Sequence, residues 1–432
     1  MNEIQNLTMC LNSKNNIRNV CNVQKLIWIG AVLMAFGYTA RGEGFRNATI
    51  GTYGLGRSGG RIAQVDDSSA VQHNPANLVD LTNTEAQLAP SVIYINVNYQ
   101  SPFGQTASTI HPWKLLPDIF MAVPLKNDRF VAGLGITVPY GLANQWSSSA
   151  SAFSQKPPFG TFTYFAPNYS QLLTINVNPS LAVKLTDWLS LGAGLDVMYS
   201  DLEFKQYLSP LVPNLLADAE GDGVGVGGNL GLTWRITKHQ RLALTYRSTM
   251  VTRFSGDVEF QNGVNVPNAS FNSKITFPNI VSLGYGVDVT DTVRLETDFE
   301  WLDFYQFQSL PVNIGANALG VPSQNIRENW HNTFTAGFGG DWKFADHWVL
   351  RAGYQYFESP VPDSIFSPTI PDANQNVITI GIGWHHKNSS LEASYGLDFY
   401  NDRHITADQN PAFNGTYTFN VHLISLAYRL SF

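Results

Sequence analysis

The sequence predicts an all-β protein: a 14-stranded antiparallel transmembrane β-barrel with an N-terminal hatch in its lumen. Three observations carry this expectation. Residues 54–81, GLGRSGGRIAQVDDSSAVQHNPANLVDL, are too glycine-rich and too broken for a strand, whereas nearly everything after them alternates apolar and polar residues. Connections between the alternating segments are short at one end and long at the other. The chain also closes on an alternating run that ends at Phe432.

Composition bounds the class first. The 432 residues are 12 % aromatic and only 14 % charged, with a net charge of −7. Soluble proteins of this size carry more charge, and with no basic patch the chain has no footprint for nucleic acid. No composition break divides the part after residue 85, so one large unit is expected there. Cys10 and Cys21 both lie near the start, so a processed chain has neither a disulfide nor a thiolate metal site.

The N-terminus reads as a secretory signal over residues 1–42. Lys14, Arg18 and Lys25 precede an apolar run at 26–36, and Ala40-Arg41-Gly42 supplies the small residues of a cleavage site. The run is shorter than the ~20 residues a membrane helix needs, and Cys21 precedes it, which argues against a lipoprotein. The mature chain is expected to begin close to Glu43-Gly44-Phe45, with the hatch over 43–86 and the barrel over 87–432.

No later segment can be a membrane helix, so strands must do the crossing, each alternating lipid-facing apolar and lumen-facing polar residues. Val293, Leu295, Thr297, Phe299 and Trp301 share one face, and Arg294, Glu296, Asp298 and Glu300 the other. Residues 189–200 alternate in the same way, and Trp348, Leu350, Ala352, Tyr354 and Tyr356 oppose Arg351 and Gln355. A soluble sandwich would alternate too, so the connections must decide. Candidate strands fall at 88–99, 117–125, 130–140, 169–183, 188–207, 223–236, 241–259, 270–290, 293–309, 328–344, 348–357, 375–386, 389–403 and 416–432. Connections after even-numbered strands are tight and polar, such as Thr186-Asp187 and Lys387-Asn388, and those after odd-numbered strands are long, such as 141–168 and 310–327. An even count sorted in this way is the outer-membrane barrel layout, with both termini periplasmic.

The last strand sets Ile424, Leu426, Tyr428, Leu430 and Phe432 on one face. A terminal Phe resembles the signal by which bacterial barrel assembly machinery takes up its clients. Upstream, Phe419, Val421 and Leu423 fall in the opposite register, which requires either a bulge or a partly apolar lumen.

Taken together, several motifs resemble those of the FadL/OmpP1/TodX-type outer-membrane transporters of long-chain fatty acids and hydrophobic compounds. They are Gly44-Phe45, the glycine-rich run at 54–60, Asp66-Asp67, Asn74-Pro75-Ala76, Tyr140-Gly141-Leu142-Ala143, residues 244–248, Ser359-Pro360-Val361-Pro362 and Ile370-Pro371-Asp372. The resemblance spans nearly all of 43–432. It implies a hatch-closed barrel of fourteen strands in the bacterial outer membrane, capture of a hydrophobic molecule by the outer loops, and lateral exit into outer-membrane lipid beside strand three. It also implies that Phe45 touches bound ligand, the alternative being simple packing of the N-terminus. Lys205 and His331 fall near the positions where fatty-acid carriers of this type hold an Arg and a Lys, and those departures leave an uncharged hydrocarbon open as substrate.

The residues themselves suggest further roles. Asn74-Pro75-Ala76 suits a tight turn that fixes the hatch to the wall, and Asp66-Asp67 suits a capped turn or a salt bridge to lumen arginines. Pro139, Tyr140 and Gly141 mark a place where a strand stops or bends, a lateral gate or merely the start of a loop. Apolar loop residues Trp113, Leu115, Leu116, Phe159, Phe162, Phe165, Leu211 and Leu215 fit alkyl chains and aromatics alike. No HExxH, GxSxG, phosphate loop or metal-ligand spacing appears, and the nine His are scattered. Neither an enzyme nor a cofactor is expected. A nonspecific porin or a surface adhesin is the rival reading.

Overall fold

The computed structural model describes residues 43–47, 49–125, 129–147, 150, 152, 154–155, 163–164, 167–207, 215–261 and 266–432. The signal expected at 1–42 lies outside them, as do Phe159, Phe162, Phe165 and Leu211. Among the described residues the wall is a closed antiparallel barrel of 14 strands. They are β1 (Glu85–Leu88 and Ser91–Gln100), β2 (Thr106–Ser108, Trp113–Leu116 and Ile119–Pro124), β3 (Phe130–Thr137 and Gly141–Gln145), β4 (Pro167–Lys184) and β5 (Leu189–Tyr207). β6 (Leu216–Thr237), β7 (Gln240–Arg247 and Met250–Gln261), β8 (Ala269–Phe277 and Ile280–Asp288), β9 (Val293–Leu302) and β10 (Thr333–Ala345) follow. β11 (Trp348–Phe357), β12 (Gln375–His386), β13 (Ser389–Tyr400) and β14 (Gly415–Ser431) complete the wall.

β14 pairs with β1 from Gln100↔Thr416 down to Glu85↔Ser431, so the first and last strands join. Closure satisfies the backbone groups that an open edge would leave bare in hydrocarbon. Side-chain partition then separates barrel from sandwich. Leu191, Leu295, Phe299, Phe338 and Leu426 are exposed, while Asp196, Glu296, Asp298, Glu300, Arg351 and Gln355 are buried. A soluble fold buries the apolar face, and this one presents it.

Several boundaries differ from the sequence reading. β1 begins at Glu85, inside the stretch assigned to the hatch, and β2 begins at Thr106 rather than 117 because Pro112 and Pro117 cut it into short pieces. Trp113, Leu115 and Leu116 accordingly sit on a wall strand and not in a loop. β3 resumes at Gly141 after its break, and β9 stops at Leu302, where the chain turns through Phe304–Gln306 into an outer hairpin of Ser309–Ile314 and Gln324–Arg327. β10 starts at Thr333, since residues 328–330 fold Trp330 into an aromatic cluster instead of extending the ladder. β14 keeps one register against both neighbours. Val421 and Leu423 therefore point inward without a bulge, and the lumen is partly apolar.

Orientation follows from the ends. Phe432 donates its N–H to Thr84 O at 2.8 Å and Ser431 to Asn388 O at 2.7 Å, so the C-terminus lies at the end of the tight turns. A tag near Asn317, in the hairpin between β9 and β10, is expected to be reached by antibody on intact cells, and one near Asn388 is not. Equal labelling of the two would contradict this topology.

Candidate functional site

Residues 43–81 lie against the lumen face of the wall and contribute the short helices Gly51–Gly56 and Ala70–His73 and the 3-10 turn Pro75–Asp80. Short helices cannot hold themselves, so the wall holds them. The acid face of β9 does most of this. Glu296 accepts N–H bonds from Ile62 (2.6 Å), Ala63 (2.5 Å) and Gln64 (2.9 Å), Asp298 accepts from Arg61 N (2.7 Å), and Glu300 pairs with Arg61 (2.6 Å) and Arg46 (2.6 Å). Arg57 reaches Asp341 at 2.7 Å. Buried charges persist only when paired in this way. Gly59 has φ +84°, and a Cβ there would lie 2.3 Å from Tyr354 O, so the segment presses on the wall where only glycine fits.

Asn74 caps the turn as its residue type suggests. Its Oδ1 accepts from Ala76 N at 3.1 Å, while its Nδ2 donates to Ile62 O and to Thr233 Oγ1, both at 2.9 Å, tying Asn74-Pro75-Ala76 to β6. Asp67 Oδ1 accepts from Ser69 N at 3.0 Å, and Asp66 pairs with Arg294 at 2.7 Å. The two structural roles considered for the acid pair are thus divided between its members.

The wall opens beside β3. β2 and β3 pair from Ile119↔Ile136 to Pro124↔Val131, and pairing resumes only at Thr109↔Trp146. Between them, residues 111–118 and 137–144 share no ladder. Val138, Pro139 and Tyr140 form the break, opposite Thr174 and Ile175 of β4. Thr174 Oγ1 satisfies Tyr140 by accepting from its N (3.3 Å) and donating to its O (2.5 Å), so the neighbouring groups face the other way, toward β2. The N-terminal segment takes them. Gly141 N donates to Phe45 O (2.8 Å), Asn47 N to Pro139 O (2.9 Å) and Asn47 Nδ2 to Val138 O (2.9 Å). Three residues of the hatch segment thus stand in for a missing stretch of wall. A Cβ on Gly141 would come within 3.1 Å of Asn47 Nδ2, so glycine keeps that seat open.

A cavity of about 370 Å³ adjoins this opening, within the usual range for small-molecule sites. Its lumen side includes Ile93, Ile95, Val377, Val421 and Leu423, and its outer side includes the lipid-exposed Trp113, Leu115 and Leu173. Glu43 and Asp372 also line it. Burial pushes the Glu43 carboxyl up to about 7 against the pull of Arg46, and pushes Asp372 up to about 6 although Ser359 Oγ and Gly44 N donate to it. The Glu43 carboxyl is therefore partly protonated near neutral pH, while Asp372 keeps most of its charge.

Phe45 is 2 % exposed and sits in an aromatic cage of Tyr140, Phe277, Phe304, Phe307 and Trp330, with centroids 5.1 to 6.0 Å away. Lys205 is held by Glu203 and Asp218, each at 2.6 Å, and lies over the Tyr169 ring. The His331 backbone N–H donates to Pro360 O next to Trp330. The structure brings Pro139, Tyr140, Gly141 and Phe45 together at the opening. Neither Lys205 nor His331 is among the residues lining the cavity beside it. Sequence reasoning missed Ile93, Ile95 and Lys114 there, and the out-of-register Val421 and Leu423 were the signal that could have led to them.

The family model for outer membrane protein transport proteins (OMPP1/FadL/TodX) matches residues 33–432. The long-chain fatty acid transport proteins of Escherichia coli K12 and Salmonella typhi are each 25 % identical to this chain, over 420 and 408 residues, covering 85 % of it and 90 % and 89 % of themselves. A solved Pseudomonas aeruginosa FadL homologue superposes with a TM-score of 0.76 at 23 % identity, covering 90 % of this chain and 100 % of that one. The Pseudomonas putida toluene transporter TodX does so at 0.71 and 16 % identity, with 89 % and 99 % covered. These likenesses show a shared fold.

Proposed function

Because the chain belongs to the outer membrane protein transport family (OMPP1/FadL/TodX), we propose that it carries hydrophobic molecules passively across the bacterial outer membrane. Its relatives named for long-chain fatty acids and for toluene suggest the classes: long-chain fatty acids, or aromatic and alkane hydrocarbons. One observation carries the reading. A single cavity is lined by apolar lumen residues on one side and by lipid-exposed side chains on the other, across a wall that lacks its ladder.

Physical chemistry favours such a route over a water-filled pore. Apolar surface costs about 25 cal/mol per Å² to keep in water, so a greasy molecule moves most easily from one apolar surface to the next. The outer loops capture it, the cavity takes it up, and the β2–β3 opening releases it sideways into lipid. Residues 45–47 form the latch. Two backbone bonds and one side-chain bond hold Phe45 and Asn47 to β3, each worth about 1 kcal/mol net, so a ligand competing for the Phe45 cage can displace those two while Arg46 stays on its ion pairs with Glu43 and Glu300. The rest of the hatch stays on its buried ion pairs, Asn74-Pro75-Ala76 fixing it and Asp66-Asp67 bracing it. Phe432, exposed at the last strand's end, is the mark offered to the assembly machinery. Nothing in this scheme makes or breaks a bond, so the protein acts as a conduit and not as an enzyme.

The test pairs two measurements on the intact protein. Cells that express it are expected to accumulate labelled oleate or toluene faster than cells without it, while the purified protein in a planar bilayer adds no steady ion current. A large steady current without hydrophobe uptake would replace this reading with a nonspecific porin.

A further inference from the structure

Cations inside this barrel are committed to carboxylates. Arg46, Arg57, Arg61, Arg247, Arg294 and Arg351 each ion-pair with an acid of the hatch or the wall. Lys114 differs. It lies in β2 between Trp113 and Leu115, which face lipid, and its own half-buried side chain points the other way into the cavity. Among the described residues no carboxylate comes within 4.0 Å of its ammonium, and it makes no hydrogen bond. Its neighbour across the ladder is Ile93, which in turn pairs with Leu423 of β14, so the surroundings are aliphatic.

A half-buried ammonium with no partner is costly, and its alkyl stem covers apolar wall while its head waits for an anion. The other cation of the cavity, Arg46, is already held by Glu43 and Glu300. Lys205 is neutralised by two carboxylates. We propose that Lys114 is the headgroup anchor of the lateral exit. It binds the carboxylate of a single-chain alkyl acid at the β2–β3 opening while the tail lies along Ile93, Ile95, Val421 and Leu423. Lys114 offers one unpaired positive charge in aliphatic surroundings, which matches a monoanionic head on an alkyl tail. This assignment rests on the cavity being the substrate's route.

The experiment measures uptake of labelled oleate and of labelled hexadecane by cells carrying the full-length protein or its variants, with folding checked by heat-modifiable gel mobility. Lys114→Met keeps the stem and removes the charge. It is expected to raise the half-saturating oleate concentration about tenfold and to leave hexadecane uptake unchanged, and Lys114→Arg is expected to restore oleate. Lys114→Gln gives a second neutral side chain should the Met variant assemble poorly. Equal effects on both substrates, or none on oleate, would overturn the anchor. Failure of the route itself reads differently: the Pro139→Thr/Gly141→Thr variant would then transport both substrates as well as the parent does.

Discussion

Deleting residues 46–80 is expected to leave a folded barrel that conducts small ions continuously. The wall closes on its own ladder, from β14 to β1 and round through every neighbouring pair, and none of that pairing passes through the deleted segment except the short contact of Arg46 and Asn47 with residues 138–140. Glu296, Asp298 and Glu300 lose their buried hatch partners and Asp341 keeps only Arg294, but the same deletion floods the lumen, and water takes over as partner. The charges that held the hatch then line an aqueous, cation-attracting pore. Single-channel recording should show a steady current in the variant and none in the parent. A folded deletion variant with no added current would mean that residues 46–80 do not block the lumen.

How far the sequence could take this account depended on whether a signal was local. The acid face of β9 was legible because strand periodicity alone puts Glu296, Asp298 and Glu300 on one side, and a lumen-facing acid needs buried donors, which residues 46–64 supply as backbone N–H groups and arginines. Pro139 and Gly141 were legible as a break for equally local reasons. The start of β2 was not, since proline-cut pieces of three or four residues show no period. The Phe45 cage was also hidden, because its walls come from Phe277, Phe304, Phe307 and Trp330, more than two hundred residues away in the chain. Lys205 misled for a related reason. Its partner Asp218 sits opposite it on β6, and a sequence cannot tell a lysine that the next strand has neutralised from one, such as Lys114, that no strand has.

The central claim is that hydrophobic molecules leave through the wall between β2 and β3, and it rests on the interruption at Val138, Pro139 and Tyr140. Pro139 withholds an N–H on the edge that faces β2, and Gly141 leaves room for Asn47. Threonine at both positions supplies the N–H, favours extended backbone and crowds Asn47 out of its seat, so β3 can run on as ordinary wall. The barrel should keep its heat resistance on gels, since the substitutions add pairing and remove none of the ladders that close it. Transport should suffer far more than stability, because a sealed wall leaves the cavity with no outlet to lipid. The deciding measurement is the initial rate of labelled oleate uptake by cells carrying Pro139→Thr/Gly141→Thr at matched surface levels. The structure leads to a fall of about tenfold or more, equivalent to ~1.4 kcal/mol on the limiting barrier, and an unchanged rate in a correctly folded double variant would contradict lateral release at this site.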